Sequence, residues 1–205
     1  MRDTISKCDE DLLDGLARDL EGSFELLVRA YQDRLYGFAL RITGNPSDAE
    51  EAAQDAFIRS YRALASYPPE RIRDLALKPW LYRIALNVCR NRLRKHRLAT
   101  VPVDGGEDDE DGGIDLPADA GQQPEVLFEH SETRAQLADG VSALPERYRV
   151  AVVLRFVQEL SYAEAAAVLG QPVGTVKANV HRGIGLLRSA MSERMLVEAV
   201  NRRDR

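Results

Sequence analysis

Between Phe24 and Ile42 the apolar residues Phe24, Leu27, Val28, Tyr31, Leu35, Phe38 and Ile42 recur every three or four positions, the period of one face of an α-helix. Gly44, Asn45 and Pro46 close that pattern, and a second opens at Ser47, where Ser47 and Glu50 are spaced for a reciprocal capping box. It runs through EEAAQDAFIRSYRAL to Pro68 and Pro69. A third stripe, Leu77, Leu81, Ile84 and Val88, predicts a long helix from about Leu77 to Arg97. Farther along, Val150, Val153, Leu154 and Val157 share one face of a helix starting at Pro145, after a helical lead-in from about Pro124. Ser161 and Glu164 form another capping box, Gly170 ends that short helix, and Pro172 suits the first turn of the next. On this last helix Val173, Val176, Val180 and Leu187 line up. The alternation and turn punctuation of strands are missing, so the predicted class is all-α.

Charge divides the 205 residues further. The net charge is -5, yet residues 104–119, DGGEDDEDGGIDLPAD, hold eight acids and no base, so without them the remainder carries +3. That stretch has four glycines, a proline and almost nothing apolar to bury, the composition of a self-repelling tether. The expected organisation is two small helical domains, 1–97 and 124–205, joined by an acidic linker over 98–123. No apolar run approaches the roughly 20 residues of a membrane span, and the N-terminus MRDTISKCDEDLL is too acidic for a signal peptide. The reading predicts a cytoplasmic protein without membrane insertion. Cys8, Cys89, His96, His130 and His181 are scattered, and no ligand pairs stand at metal spacing. No metal or other cofactor is expected.

Two segments carry candidate chemistry. From Arg71 to Arg97 there are nine Arg or Lys and one acid, Asp74. Arg83, Asn87, Arg90 and Arg94 fall on a different arc from the apolar stripe. Ordinary surfaces mix signs; here the balancing acids are missing, and such a field attracts phosphate. Asn87 and Asn91 bring amides that bond base edges, while Trp80 and Tyr82 suit stacking on exposed bases; for Trp80, filling the core is an equal alternative. The last helix presents Gly174, Ala178, His181, Arg182 and Gly185 opposite its apolar face, flanked by Thr175 and Lys177. Small residues admit close approach and the cations reach phosphate or guanine, as a major-groove helix requires. The preceding helix of the first domain differs. Its acids Asp48, Glu50, Glu51 and Asp55 suit the helix dipole, and they also form an acidic surface beside apolar residues that a basic protein partner fits.

The strings DAEEAAQDAFIRSYRAL, KPWLYRIALNVCRNRLRKHR, LPERYRVAVVLRFVQELSYAEAAAVLG and PVGTVKANVHRGIGLLR together resemble the sigma-70 family of bacterial transcription initiation factors. They resemble specifically its extracytoplasmic-function group, which keeps only regions 2 and 4. The resemblance implies a protein that binds core RNA polymerase and brings it to promoter DNA, commonly held inactive by an anti-sigma factor. It implies polymerase contacts by Asp48, Glu51, Gln54, Asp55 and Phe57. Minus-ten recognition falls to Trp80, Tyr82, Arg83, Asn87, Arg90, Asn91 and Arg94. Minus-thirty-five recognition falls to Thr175, Lys177, Ala178, Asn179, His181 and Arg182, with Arg155 on the DNA backbone. Ala178 and Asn179 stand where the family often has Arg or Ser. The main alternative, a dimeric helix-turn-helix regulator acting without polymerase, explains residues 161–188 and leaves the first domain unassigned. An enzyme is disfavoured by the lack of a Ser/His/Asp set or a phosphate-cradling glycine loop.

Overall fold

The computed structural model describes residues 2–99 and 136–203, with side chains over 9–96 and 136–192. Residues 98 and 99, expected to begin the acidic linker, are the end of a helix; the rest of the predicted linker and the start of the lead-in at Pro124 lie outside the described residues. The described residues contain helices and no strand, in agreement with the all-α expectation. In chain order these are α1 (Arg2–Arg18), α2 (Leu20–Thr43), α3 (Pro46–Ala65), α4 (Pro69–Arg73), α5 (Leu77–Ala99), α6 (helical over 136–143), α7 (Glu146–Val152), α8 (Tyr162–Leu169) and α9 (Val173–Arg203).

Helix α1 has no counterpart in the sequence reading. It buries Leu12, Leu13 and Leu16 against the neighbouring helices, chiefly α2 and α4. Its Asp9 accepts the Tyr31 O–H at 2.7 Å, and its Asp14 lies 3.3 Å from Arg73 Nε. Asp19 separates α1 from α2 and caps the latter, accepting the Gly22 N–H at 3.1 Å. The expected stripe of α2 is inward: Leu27, Tyr31, Leu35, Phe38 and Ile42 are buried. Gly44 ends it at φ 74, with its N–H on the Leu40 carbonyl, a left-handed cap that a side chain would strain.

The start of α3 differs from expectation. Asn45, not Ser47, is the cap: its side chain accepts the Asp48 N–H at 3.1 Å, and Pro46 occupies the first turn. Proline at that position gives up only an N–H that the helix leaves unpaired, so the helix gains a position at no cost in hydrogen bonds. The same reason explains α4, where Pro68 and Pro69 begin a short helix inside what reads as a loop.

Helix α7 runs into a π turn at Val153–Val157. Gln158 N–H reaches back five residues to the Val153 carbonyl at 2.9 Å, so one extra residue is accommodated and the helical phase shifts. Val150, Val153 and Leu154 are buried as expected, but Val157 is turned out to 41% exposure and Gln158, 6% exposed, takes the inward position. Helix α8 has the predicted box: Ser161 Oγ accepts from the Glu164 N–H and the Glu164 carboxylate accepts from the Ser161 N–H. Gly170, at φ 62, ends it. On α9, Val176, Val180 and Leu187 are buried, whereas Val173 at the first turn is exposed.

Buried side chains of both halves join in one contiguous cluster, from Leu12 to Leu187. Cys89 lies within it, and burial pushes its thiol up to about 12. The protonated, enclosed thiol is predicted to resist alkylation by iodoacetamide at neutral pH until the protein unfolds, as mass spectrometry of labelled peptides would record.

Candidate nucleic-acid interface

Packing on α2, α3 and α8 leaves only part of α5 outward. Leu77, Leu81, Tyr82, Ala85, Leu86, Val88 and Cys89 are buried, so the inward face is broader than the four-residue stripe read from the sequence, and Ile84 of that stripe is only half-buried. Arg83, Asn87 and Arg94 are exposed together. Arg94 Nη2 donates to Asn91 Oδ1 at 3.2 Å, which fixes the Asn91 amide beside that face.

The balancing acids that the sequence seemed to lack come from other elements. Arg73 pairs with Asp14 of α1, and Arg90 Nε lies 3.1 Å from Glu146 of α7. Arg92, 22% exposed along its side chain, reaches Glu51 at 2.6 Å, Asp55 at 3.3 Å and Asp48 at 3.9 Å. Among the described residues Arg83 and Arg94 make no ion pair, and they carry the basic character of the outward face of α5.

Two aromatic expectations for α5 resolve differently. Trp80 is half-buried against the core, its ring 6.4 Å from that of Tyr67, over which Arg71 lies at 3.8 Å. Tyr82 is fully buried, packed edge-on to Phe38 at 5.1 Å, and its O–H donates to Gln158 Oε1. Its burial raises the phenol's pKa and removes it from the surface that bases would reach in this arrangement.

The acidic surface of α3 is partly committed internally. Asp48, Glu51 and Asp55 hold Arg92, and His96 Nε2 stands 3.1 Å from Asp48 Oδ1. Burial lowers the Arg92 pKa, but hydrogen bonds and charge from Glu51 and Asp55 outweigh it and the net shift is upward. Gln54 donates to Glu50 at 3.3 Å, and Phe57 is half-buried edge-on to Phe24. Ile58, exposed beside them, is an apolar contact point that the sequence reading passed over. Arg92→Ala is predicted to cost about 1 kcal/mol in urea denaturation, and less in high salt, because Glu51 and Asp55, the two nearest carboxylates, are open to solvent.

On α9, Thr175, Lys177, Ala178, His181 and Arg182 are all exposed on the outward face, with Gly174 and Gly185. Asn179 is half-buried, 3.5 Å from Gln171 Oε1. The ring of Tyr162 ties this face to the π turn: Lys177 Nζ lies 5.6 Å and Arg155 Cζ 5.2 Å from its centroid. The Arg155 Nη1 also donates to the Leu160 carbonyl at 3.4 Å. Two cations, Lys177 and Arg182, are thus carried on the long helix of a short-helix, turn, long-helix unit whose outward residues are small, and Arg155 approaches it from the preceding π turn, the shape and charge of a groove-reading element. Among the described residues no group of His, Cys, Asp and Glu is placed to hold a metal ion, and no helix is long and apolar enough to cross a membrane.

Residues 27–99 match the family model of sigma-70 region 2, and residues 134–187 match that of sigma-70 region 4. The chain is 34% identical over 179 residues to the extracytoplasmic-function RNA polymerase sigma factor SigW of Bacillus subtilis, covering 84% of this chain and 91% of that protein. It is also 34% identical over 174 residues to the corresponding SigE of Mycolicibacterium smegmatis, covering 83% of this chain but only 62% of SigE. In fold it is similar to the sigma factor RpoE of Bartonella quintana, solved with the anti-sigma factor NepR, at a TM-score of 0.67 and 22% identity over 82% of this chain and 96% of that one. CnrH, solved with the cytosolic domain of CnrY, superposes with a TM-score of 0.62 and 24% identity over 90% of this chain and 97% of that one.

Proposed function

The chain belongs to the sigma-70 family of RNA polymerase sigma factors, in the extracytoplasmic-function group, and from this premise we propose how its surfaces divide the work. The protein is a sigma factor, not an enzyme: it binds core RNA polymerase and directs promoter-specific initiation in the cytoplasm. An anti-sigma factor is its regulatory partner, as NepR is for the Bartonella RpoE.

The region 4 unit reads the minus-thirty-five element. Lys177 and Arg182 supply phosphate or guanine contacts, Thr175, Ala178, Asn179 and His181 meet base edges, and Arg155 holds the backbone. The common exposure of Thr175, Lys177, Ala178, His181 and Arg182 on one face of α9, with half-buried Asn179 among them and Arg155 close by on the Tyr162 ring, is the observation that carries this reading. Region 2 reads the minus-ten element through Arg83, Asn87, Arg94 and Asn91, with Arg90, Trp80 and Tyr82 joining once they are freed from their present contacts. Asp48, Glu51, Gln54, Asp55 and Phe57 dock on polymerase, with Arg92 keeping the acids in place. Each module alone binds DNA weakly, and polymerase holds the two at promoter spacing, where tethering raises the effective concentration of the second contact.

Runoff transcription on genomic DNA fragments with purified core polymerase tests the reading. Discrete transcripts that need both the chain and core support it. Tight, core-independent binding of a palindromic operator, with no transcripts, points instead to a dimeric regulator.

A further inference from the structure

We propose that Arg92 of α5 is a positioning residue for polymerase docking: its guanidinium fork sets Glu51 and Asp55 of α3 in place before polymerase arrives. Arg92 touches the acids and not the polymerase. The inference rests on the assignment of those acids to docking, and adds that a residue of the DNA-reading helix arranges them.

Three observations carry it. Glu51 Oε2 accepts from Arg92 Nη1 at 2.6 Å and Asp55 Oδ2 from Nη2 at 3.3 Å, so one planar group spans two carboxylates four positions apart. Each acid is engaged through one oxygen, and the two side chains stay 58% and 43% exposed, so both still face a partner. Secondly, Arg92 itself is 22% exposed, and among the described residues its buried Nε has no hydrogen-bond partner. A buried N–H without an acceptor is costly, so it is the fork that holds this orientation. Thirdly, Asp48, Glu51 and Asp55 stand three and four residues apart on one helix, where like charges repel. Asp48 also lies 3.9 Å from Nη1. Without a cation between them, the carboxylates would turn independently in solvent.

Charge and order then act on docking with opposite signs. As a cation within an acidic stripe, Arg92 repels a basic partner. It lies behind the acids, however, so a partner's cation stands about a Debye length away, roughly 8 Å, where repulsion through water is worth less than about twofold in affinity. Fixing one flexible side chain at an interface costs roughly two- to tenfold, and Arg92 has already fixed two. Order outweighs charge. A lysine would keep the charge but not the planar fork that spans both acids. Through Arg92, moreover, α5 bears on polymerase docking from one face while Arg83, Asn87 and Arg94 stand exposed on another.

Titration of core polymerase into the full-length, N-terminally labelled chain tests the role. Arg92→Met is expected to weaken core binding about tenfold, although loss of a positive charge alone would tighten it. Arg92→Lys is expected to weaken it at least about threefold while keeping more of the stability to urea. A Glu51→Gln, Asp55→Asn background should itself bind core more weakly, and adding Arg92→Met there should change affinity by less than about twofold, because no charged pair is left to order. Unchanged or tighter binding by Arg92→Met overturns the proposal, as does a tenfold loss that persists in the neutral background. If Arg92→Met lowers helicity, Arg92→Lys carries the test, and full affinity there is equally decisive against the fork. Should Glu51→Gln with Asp55→Asn bind core as tightly as the unmodified chain, the docking assignment fails and takes the proposal with it. Should that pair bind weakly while Arg92→Met binds normally, only the positioning role fails.

Discussion

Alanine at both Lys177 and Arg182 lowers minus-thirty-five-dependent initiation by about 30-fold or more while leaving core polymerase binding unchanged. Both side chains are exposed on the outward face of α9, remote from the buried Val176, Val180 and Leu187 that fasten the helix. The substitutions therefore remove charge without disturbing packing. A specific base contact is worth roughly 1–3 kcal/mol, and two at the lower end give the factor expected here. Steady-state runoff yields over a salt series, compared with native-gel binding of core, separate the two quantities. The slope of affinity against salt should also flatten, because fewer counterions are released. A double variant that no longer binds core would contradict the division of labour between α3 and α9.

Gly183→Leu should unfold region 4 or cost it more than about 3 kcal/mol, and Gly183→Ala should already destabilise it. A Cβ at Gly183 would stand 2.7 Å from Val152 Cγ2 and 3.4 Å from Tyr148 Cβ, so α7 and α9 cross there at glycine distance. Val152 is β-branched and buried and has little room to yield, which makes overpacking the dominant effect. Two residues on, a Cβ at Gly185 meets nothing within 4 Å. Gly185→Ala should therefore stabilise the helix by about 0.5–1 kcal/mol, the ordinary advantage of alanine over glycine in a helix interior. Thermal unfolding of the two alanine variants, followed by circular dichroism, should move the midpoints in opposite directions. A midpoint that rises for Gly183→Ala as well would contradict the tight crossing, and one that falls for Gly185→Ala would contradict the open site.

Period and capping made much of this legible beforehand. The stripe of α2, the Ser161–Glu164 box, the glycine ends at Gly44 and Gly170 and the outward face of α9 are all local patterns, set by residues within about two turns of each other. What escaped was non-local. Helix α1 carries its leucines among many acids, and their burial depends on α2 and α4, which no window around Leu13 contains. Arg92 reaches Glu51 across 41 residues and Arg90 reaches Glu146 across 56, so a segment that counts as strongly basic along the chain is partly neutralised in space. Tyr82 shows the same limit: an aromatic residue on a basic helix suggests a stacking surface, but Phe38 and Gln158, distant in sequence, enclose it. Proline was misjudged for a local reason. Pro46 and Pro69 read as breaks, whereas at the first turn each begins a helix.

The π turn has a consequence for chain length. It absorbs one residue more than a regular helix would, and the surplus is spent on the outer side, where Phe156 and Val157 are 54% and 41% exposed. Deleting Val157 would restore the 3.6-residue repeat and return Gln158 to the place where an uninterrupted helix puts its inward residue. Deleting that one residue therefore edits the apolar outer surface while leaving the grip on Tyr82 in register, so the two features can be changed separately in this chain.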